Sequence, residues 1–290
     1  MHNTTVVEAP TQRPTEVTRP IASAPSDNVV ISKDGTAIAF DRIGSGPPVI
    51  LVDAALCHRG MGSTSQLAEL LAPHFTVITY DRRGRGQSGD TAPYAVEREV
   101  EDIAALLREV GGSAYLWGMS SGAVLALEAA SRLRGIQKLA LYESPFIVDR
   151  GRPTTEQQWA QIGEAVAAQR PGVAVTIFLQ MVGVPRLFIA LMRFSPAWPK
   201  LKALAHTLPY DGALVRELQK GLPLPPERWA SVTAPTLVMD GSKSPAWMRH
   251  ANRALSNVLP HAQYRTLEGQ THVLKPNAHA PTLVQFFQSE

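Results

Sequence analysis

The stretch Tyr115-Leu116-Trp117-Gly118-Met119-Ser120-Ser121-Gly122-Ala123 decides how this chain folds. An apolar, aromatic-rich run, predicted as a strand over Ala114 to Trp117, ends in Gly-x-Ser-x-Gly and passes into a helix predicted over Ala123 to Leu133. A strand-to-helix turn this sharp holds its central serine at positive φ. Glycine is then required on both sides, where a side chain would strike neighbouring backbone. Ser120 is therefore presented rather than packed, which makes it the candidate nucleophile. It stands at a helix N-terminus, whose unpaired N–H groups and dipole favour developing negative charge, so the Ser121 N–H is one candidate oxyanion donor. A plainer alternative is a Gly-bounded turn whose serines only cap the helix, but the strand and helix on either side weigh against it. Ser121 is the rival nucleophile, although it lies off the motif's centre and already turns into the helix.

Working outward, strands and helices alternate on both sides of this turn. Asn28 onward reads as a hairpin, with turns at Lys33-Asp34-Gly35 and Gly44-Ser45-Gly46, and Pro48 to Val52 reads as a strand buried on both faces. Gln66 to Leu71 (helix), Phe75 to Tyr80 (strand), Tyr94 to Val110 (helix) and Lys138 to Tyr142 (strand) continue the pattern. In the helix after Pro93, Val96, Val100, Ile103, Leu107 and Val110 recur at helical spacing and mark one buried face. After an insertion the alternation resumes with Thr236 to Met239, a helix over Pro245 to Leu259, a strand Gln263 to Leu267 and a helix Pro281 to Phe287. The predicted fold is an α/β, mostly parallel twisted sheet with helices on both faces. Its expected divisions are a flexible N-terminal arm (1–26), a core made of 27–146 and 231–290, and a helical cap over 147–230.

Bulk properties exclude several classes. The 290 residues are 44% hydrophobic, enough for a large core, and carry a net charge of +3 with no basic stripe on any helix. Nucleic-acid binding is not expected. The densest basic run, Arg82-Arg83-Gly84-Arg85, reads as a solvated or salt-bridged structural loop. One cysteine, Cys57, leaves no internal disulfide and no Cys-based zinc cluster, and fits a reducing compartment. No secretory signal is legible after Met1, and the apolar stretch Val173 to Phe194 is broken by Gly183, Pro185, Arg186 and Arg193, so no membrane span is expected. The expected setting is the cytoplasm, with a homodimer left open.

With Gly118-Met119-Ser120-Ser121-Gly122 in this setting, and with Asp81-Arg82-Arg83-Gly84-Arg85-Gly86-Gln87-Ser88 after the strand ending at Tyr80, the chain resembles the α/β-hydrolase superfamily over about 28 to 290. The resemblance implies a base near the C-terminus. Of eight histidines, His272 follows the last strand in a loop at the carboxyl edge of the sheet, where open α/β folds bind ligands, and matches the superfamily's Gly-x-x-His ending. His279 is weaker because it begins the final helix, and His58 is a candidate for the pocket wall. The usual acid, a few residues after the post-cap strand, is missing: Ser244 stands in its place. Glu143, at the end of the strand after the nucleophile helix, is favoured as the displaced acid, as in some haloalkane-dehalogenase-like members. Asp240 is the alternative, with its plainer role a turn-forming carboxylate, and a Ser-His dyad is the third arrangement.

Resemblance further implies an oxyanion donor after the third strand, here the Ala55 N–H in Asp53-Ala54-Ala55-Leu56. Asp53 beside an oxyanion is unfavourable unless it bonds inward, as a structural acceptor. Met119 and His58 complete the expected substrate-side set. The insertion offers Phe178, Leu179, Met181, Leu187, Phe188, Leu191, Met192, Phe194 and Trp198, pointing to an apolar, uncharged small molecule. The expectation is a serine hydrolase of carboxylic esters or lactones that needs no metal or organic cofactor. The altered oxyanion loop and displaced acid keep open a non-hydrolytic haloperoxidase-like, lyase or cyclase activity, and a ligand receptor on the same fold stands behind both.

Overall fold

The computed structural model describes residues 28–61 and 64–289; the arm expected over 1–26 lies outside the described residues. Eight strands form one sheet: β1 (Val29–Ile31), β2 (Ala37–Ile43), β3 (Pro48–Val52), β4 (Thr76–Tyr80), β5 (Ala114–Met119), β6 (Ile136–Tyr142), β7 (Thr236–Gly241) and β8 (Ala262–Leu267), ordered β1-β2-β4-β3-β5-β6-β7-β8. The β1–β2 and β2–β4 pairs are antiparallel and the rest parallel. The helices outside the insertion are α1 (Thr64–Leu71), α2 (Val96–Glu109), α3 (Ser121–Arg132), α9 (Ala246–Val258) and α10 (Pro276–Gln288).

Side chains of period two explain why both faces are covered. In β3, Ile50 and Val52 join the apolar layer that includes α2 and α3, while Val49 and Leu51 join the layer that includes α1 and α10. Strand order reverses at β3, because the chain goes to one side for β4 and to the other for β5. That reversal opens a crevice beyond the carboxyl ends of β3 and β5, where a ligand reaches backbone unobstructed by a crossing helix. The loops after these two strands hold Ala55 and Ser120.

Between β6 and β7 the chain forms α4 (Glu156–Ala167), α5 (Pro171–Met181), α6 (Arg186–Met192), α7 (Ala197–Leu204) and α8 (Leu208–Val215), with no strand among the described residues. Not all of its apolar residues turn inward as the sequence suggests. Leu187, Phe188, Leu191 and Phe194 face outward, Phe194 being 91% exposed.

Two other expectations change. The last helix begins at Pro276, five residues before the predicted Pro281, because Pro276 suits a first helical turn and Pro281 is tolerated within. His279 therefore sits inside α10, fully buried. The Arg82-Arg83-Gly84-Arg85 run is salt-bridged but not solvated: all three arginines are buried. Arg82 pairs with Glu99 and Asp211, Arg83 with Asp102 and Asp34, and Arg85 with Asp211. Glu99 and Asp102 lie on the inward side of α2, where an apolar-only pattern leaves them unread. No helix among the described residues is long and apolar enough to cross a membrane.

Candidate active site

Ser120 occupies the turn between β5 and α3 with φ 53° and ψ −127°. The turn admits no larger neighbours. A Cβ on Gly118 would lie 2.4 Å from the Gly122 carbonyl oxygen, and one on Gly122 would lie 2.4 Å from that of Val52 and 2.5 Å from that of Asp53. Glycine here is a matter of close approach, as the motif requires. The Ser120 N–H is tied to the Tyr142 carbonyl of the adjacent strand at 2.9 Å, which anchors the strained residue.

His272 comes over from the loop after β8. Its Nε2 lies 3.2 Å from Ser120 Oγ, and its Nδ1 lies 2.7 Å from Glu143 Oε2. With the carboxylate accepting, the proton belongs on Nδ1, which leaves Nε2 free to accept from the serine hydroxyl. Two contacts fix the loop. The Tyr142 hydroxyl donates to the Thr271 carbonyl at 2.5 Å, and Gly241 packs so closely that a Cβ there would meet the Gln270 carbonyl oxygen at 2.4 Å.

Glu143 is completely buried and leaves β6 at φ 50°. Its Oε1 accepts from the Gly241 N–H at 2.8 Å and, more closely still, from the Ser244 hydroxyl. The loop after β7 thus holds a donor, Ser244, at the position where the resemblance leads us to expect an acid, and that donor grips the carboxylate from β6. Asp240 points elsewhere. It accepts a short hydrogen bond from the Tyr264 hydroxyl of β8, rather than the turn amides expected of it, and burial raises its pKa above the ordinary range.

The cavity before Ser120 is lined by both serines of the elbow, His272, Ala55, and residues of the insertion including Trp159, Phe178, Met181 and Val215. Neither the Ala55 nor the Ser121 N–H donates to another group among the described residues, so both are available to a ligand oxygen. Asp53 bonds inward, its Oδ1 accepting from Thr64 Oγ1 at 2.8 Å and from the Ala54 N–H at 3.1 Å. Burial pushes its carboxyl up to about 6. Two expected residues are placed away from the cavity. Met119 packs in the layer below α1 and α10. His58, whose Nδ1 accepts from the Gly60 N–H, lines a separate depression with Arg59, Asp41 and Asp81. His279 also lies outside it, edge-on to the Tyr142 ring at 4.3 Å.

One participant was not legible from the sequence. Asp211, on α8, accepts from Ser121 Oγ at 2.7 Å, from Arg82 at 2.9 Å and from Arg85 at 2.7 Å. Burial pushes its carboxyl up, but Arg85 and Arg82 outweigh this and hold it below the ordinary range. Arg85 also donates to the Ala54 carbonyl at 2.7 Å. That carbonyl shares a peptide with the Ala55 N–H, so a cation on its oxygen fixes the peptide plane and polarises the N–H on its other side. Asp211 thereby links the insertion to both candidate oxyanion donors. No local pattern announces it; only the unexplained excess of arginines in the Arg82 turn hints at a missing carboxylate.

A sheet of this order, with a serine on a glycine-bounded elbow at its switch point, defines an α/β hydrolase. The chain belongs to the alpha/beta hydrolase family, whose model matches residues 44–284. An alpha/beta hydrolase from Sphaerobacter thermophilus shares 52% identity, with a TM-score of 0.82 over 90% of this chain and 100% of that one. A pimeloyl-[acyl-carrier protein] methyl ester esterase from Xanthomonas axonopodis pv. citri is 31% identical over 246 residues, 80% of this chain and 90% of that protein. The enol-lactonase from Burkholderia xenovorans LB400, 20% identical with a TM-score of 0.66 over 90% of this chain and all of its own, shares the fold.

Proposed function

We propose that this hydrolase cleaves carboxylic esters, lactones included, through an acyl-enzyme on Ser120. The observation that carries this reading is the run of contacts from Ser120 Oγ through His272 to Glu143, at 3.2 and 2.7 Å, on an elbow facing a cavity. Ser120 Oγ attacks the ester carbonyl while His272 Nε2 takes its proton. The tetrahedral oxyanion receives the Ala55 and Ser121 N–H groups, and Glu143 stabilises the imidazolium. Collapse breaks the bond to the alkoxy oxygen, which leaves with the proton from His272. Water then enters by the same base and releases the acid, so no cofactor is called for.

The esterase among the relatives supports ester over amide or halide chemistry. A non-hydrolytic reaction gains no support from the geometry, since Glu143 lies against His272 and Asp53 is turned away into Thr64 and Ala54. The test is turnover of a panel of p-nitrophenyl esters and lactones by the wild type and Ser120→Ala. Hydrolysis lost in the variant supports the reading. A wild type inert on every member, or a variant that keeps its rate, contradicts it.

A further inference from the structure

Arg152 stands at the start of the insertion, just before α4, and lines the same cavity as Ser120 and His272. Of the charged side chains on that wall, Asp211 is met by two arginines and His272 by Glu143. Arg152 has no carboxylate partner among the described residues. Asp149, the acid nearest to it in sequence, is taken by the Gly151 N–H at 2.7 Å and faces His250 at 3.5 Å. The guanidinium donates one hydrogen bond, to the Met181 carbonyl. Its carbon lies 4.1 Å from the centre of the Trp247 ring, so one face is covered by indole.

A guanidinium that is stacked and half-buried has lost part of its water without gaining a counter-ion; burial alone lowers the Arg152 pKa. Stacking also holds the plane of the fork. The N–H groups not used by Met181 are left to an acceptor in the cavity, and a planar carboxylate matches that fork with two parallel bonds. The same cavity is also lined by Phe178, Met181 and Val182, apolar wall suited to a short hydrocarbon chain.

Building on the ester-hydrolase reading, we propose that Arg152 is a carboxylate-binding subsite and that the substrate is a half-ester, with an anionic carboxylate separated by an apolar chain from the ester that Ser120 attacks. This replaces the uncharged substrate expected from the insertion's composition. The carboxylate exchanges water for a stacked cation, and the cation gains the partner that the described residues do not supply.

The test compares kcat/KM for monomethyl esters of succinic, glutaric and adipic acids with that for methyl esters of monocarboxylic acids of equal length. The expected wild type favours the half-ester of one chain length. Arg152→Gln is expected to lower that half-ester to neutral-ester ratio by roughly ten- to a hundred-fold, chiefly through KM, as loss of a hydrogen-bonded ion pair implies. Arg152→Lys, with the charge but not the fork, should fall between. A wild type that favours the neutral esters, or a ratio unchanged in Arg152→Gln, overturns the subsite. Because Arg152 also holds the Met181 carbonyl, a second measurement avoids both turnover and misfolding. Glutarate and adipate are titrated into folded wild type and Arg152→Lys by calorimetry, with butanesulfonate alongside. Binding weakened in Arg152→Lys supports the proposal, even if no ester is hydrolysed and the reaction assignment fails. No binding to the wild type, or tighter binding of the sulfonate than of either carboxylate, overturns it.

Discussion

Glu143 accepts from Gly241 and Ser244 with one oxygen and faces His272 Nδ1 with the other, so its position is fixed from two sides before any substrate arrives. A carboxylate in this place keeps imidazole in the tautomer that accepts from serine and stabilises the imidazolium that follows. Glu143→Gln is therefore expected to lower kcat by up to about 10⁴, as in the best-studied serine protease, with little change in KM. Asp240→Asn, whose partner is the Tyr264 hydroxyl, should stay within about ten-fold of wild type. Steady-state kinetics of the two variants decide between them, and the reverse order of damage would move the acid to β7. Ser120 and His272 were legible because each lies beside a local signal, a glycine-bounded turn or a strand end. Between Glu143 and Asp240 the residue pattern supports only an order of preference, since both end adjacent parallel strands and only side-chain direction separates them. Met119 and His58 were misplaced for the same reason: proximity in sequence to an active loop does not say which face a side chain takes.

At the scale of elements, the Arg82 turn works as a buried clamp between α2, α8 and the elbow. Breaking one member of a buried ion network leaves a charge unpaired and costs about 3 to 5 kcal/mol. Asp211→Asn is expected to lose stability on that order and also to lower kcat by at least about ten-fold, because Arg85 and Ser121 lose the group that orients them. Arg83→Gln breaks the pairs to Asp102 and Asp34, away from the cavity. It should cost comparable stability with kcat within about two-fold. Urea unfolding set beside kcat separates the two; equal kinetic damage in both would reduce the clamp to a structural role. The long-range partner was illegible because Asp211 lies on a separate element far along the chain, whereas the turn motif itself was plain.

The last helix carries a pH dependence. Burial lowers the His279 pKa from 6.5 to about 4, and both ring nitrogens lack partners among the described residues. Between those values the unfolded chain binds more protons than the folded one, so stability falls as pH drops from about 6.5 to about 4, by about 3 kcal/mol in total. Asp53, raised from 3.8 to about 6, acts in the opposite sense, gaining stability as pH falls through about 6. His279→Phe keeps an aromatic ring against Tyr142 and removes the proton site. Its urea midpoint should decline less than that of wild type between neutral pH and about pH 4.5; an equal decline would show that His279 does not carry the effect.

For the molecule as a whole, function follows from where the sheet reverses. β3 and β5 end side by side, which sets the Ala55 and Ser121 N–H groups around one cavity, and the next two strands deliver Glu143 and the loop that grips it. The strand–helix alternation made this architecture readable, with element ends within about two residues except at the start of the last helix. The insertion was readable only as helical, because helices that pack on one another and on a cavity show no single buried stripe, and Leu187, Phe188, Leu191 and Phe194 face solvent. The proposed chemistry depends above all on Ser120 being the nucleophile that His272 activates. The most direct measurement is labelling with a fluorophosphonate followed by mass mapping of the modified peptide, in the wild type, Ser120→Ala and His272→Ala. A single adduct on Ser120 is expected, absent from Ser120→Ala and formed at least about 10²-fold more slowly in His272→Ala. An adduct on Ser121, or full-rate labelling without His272, would contradict it.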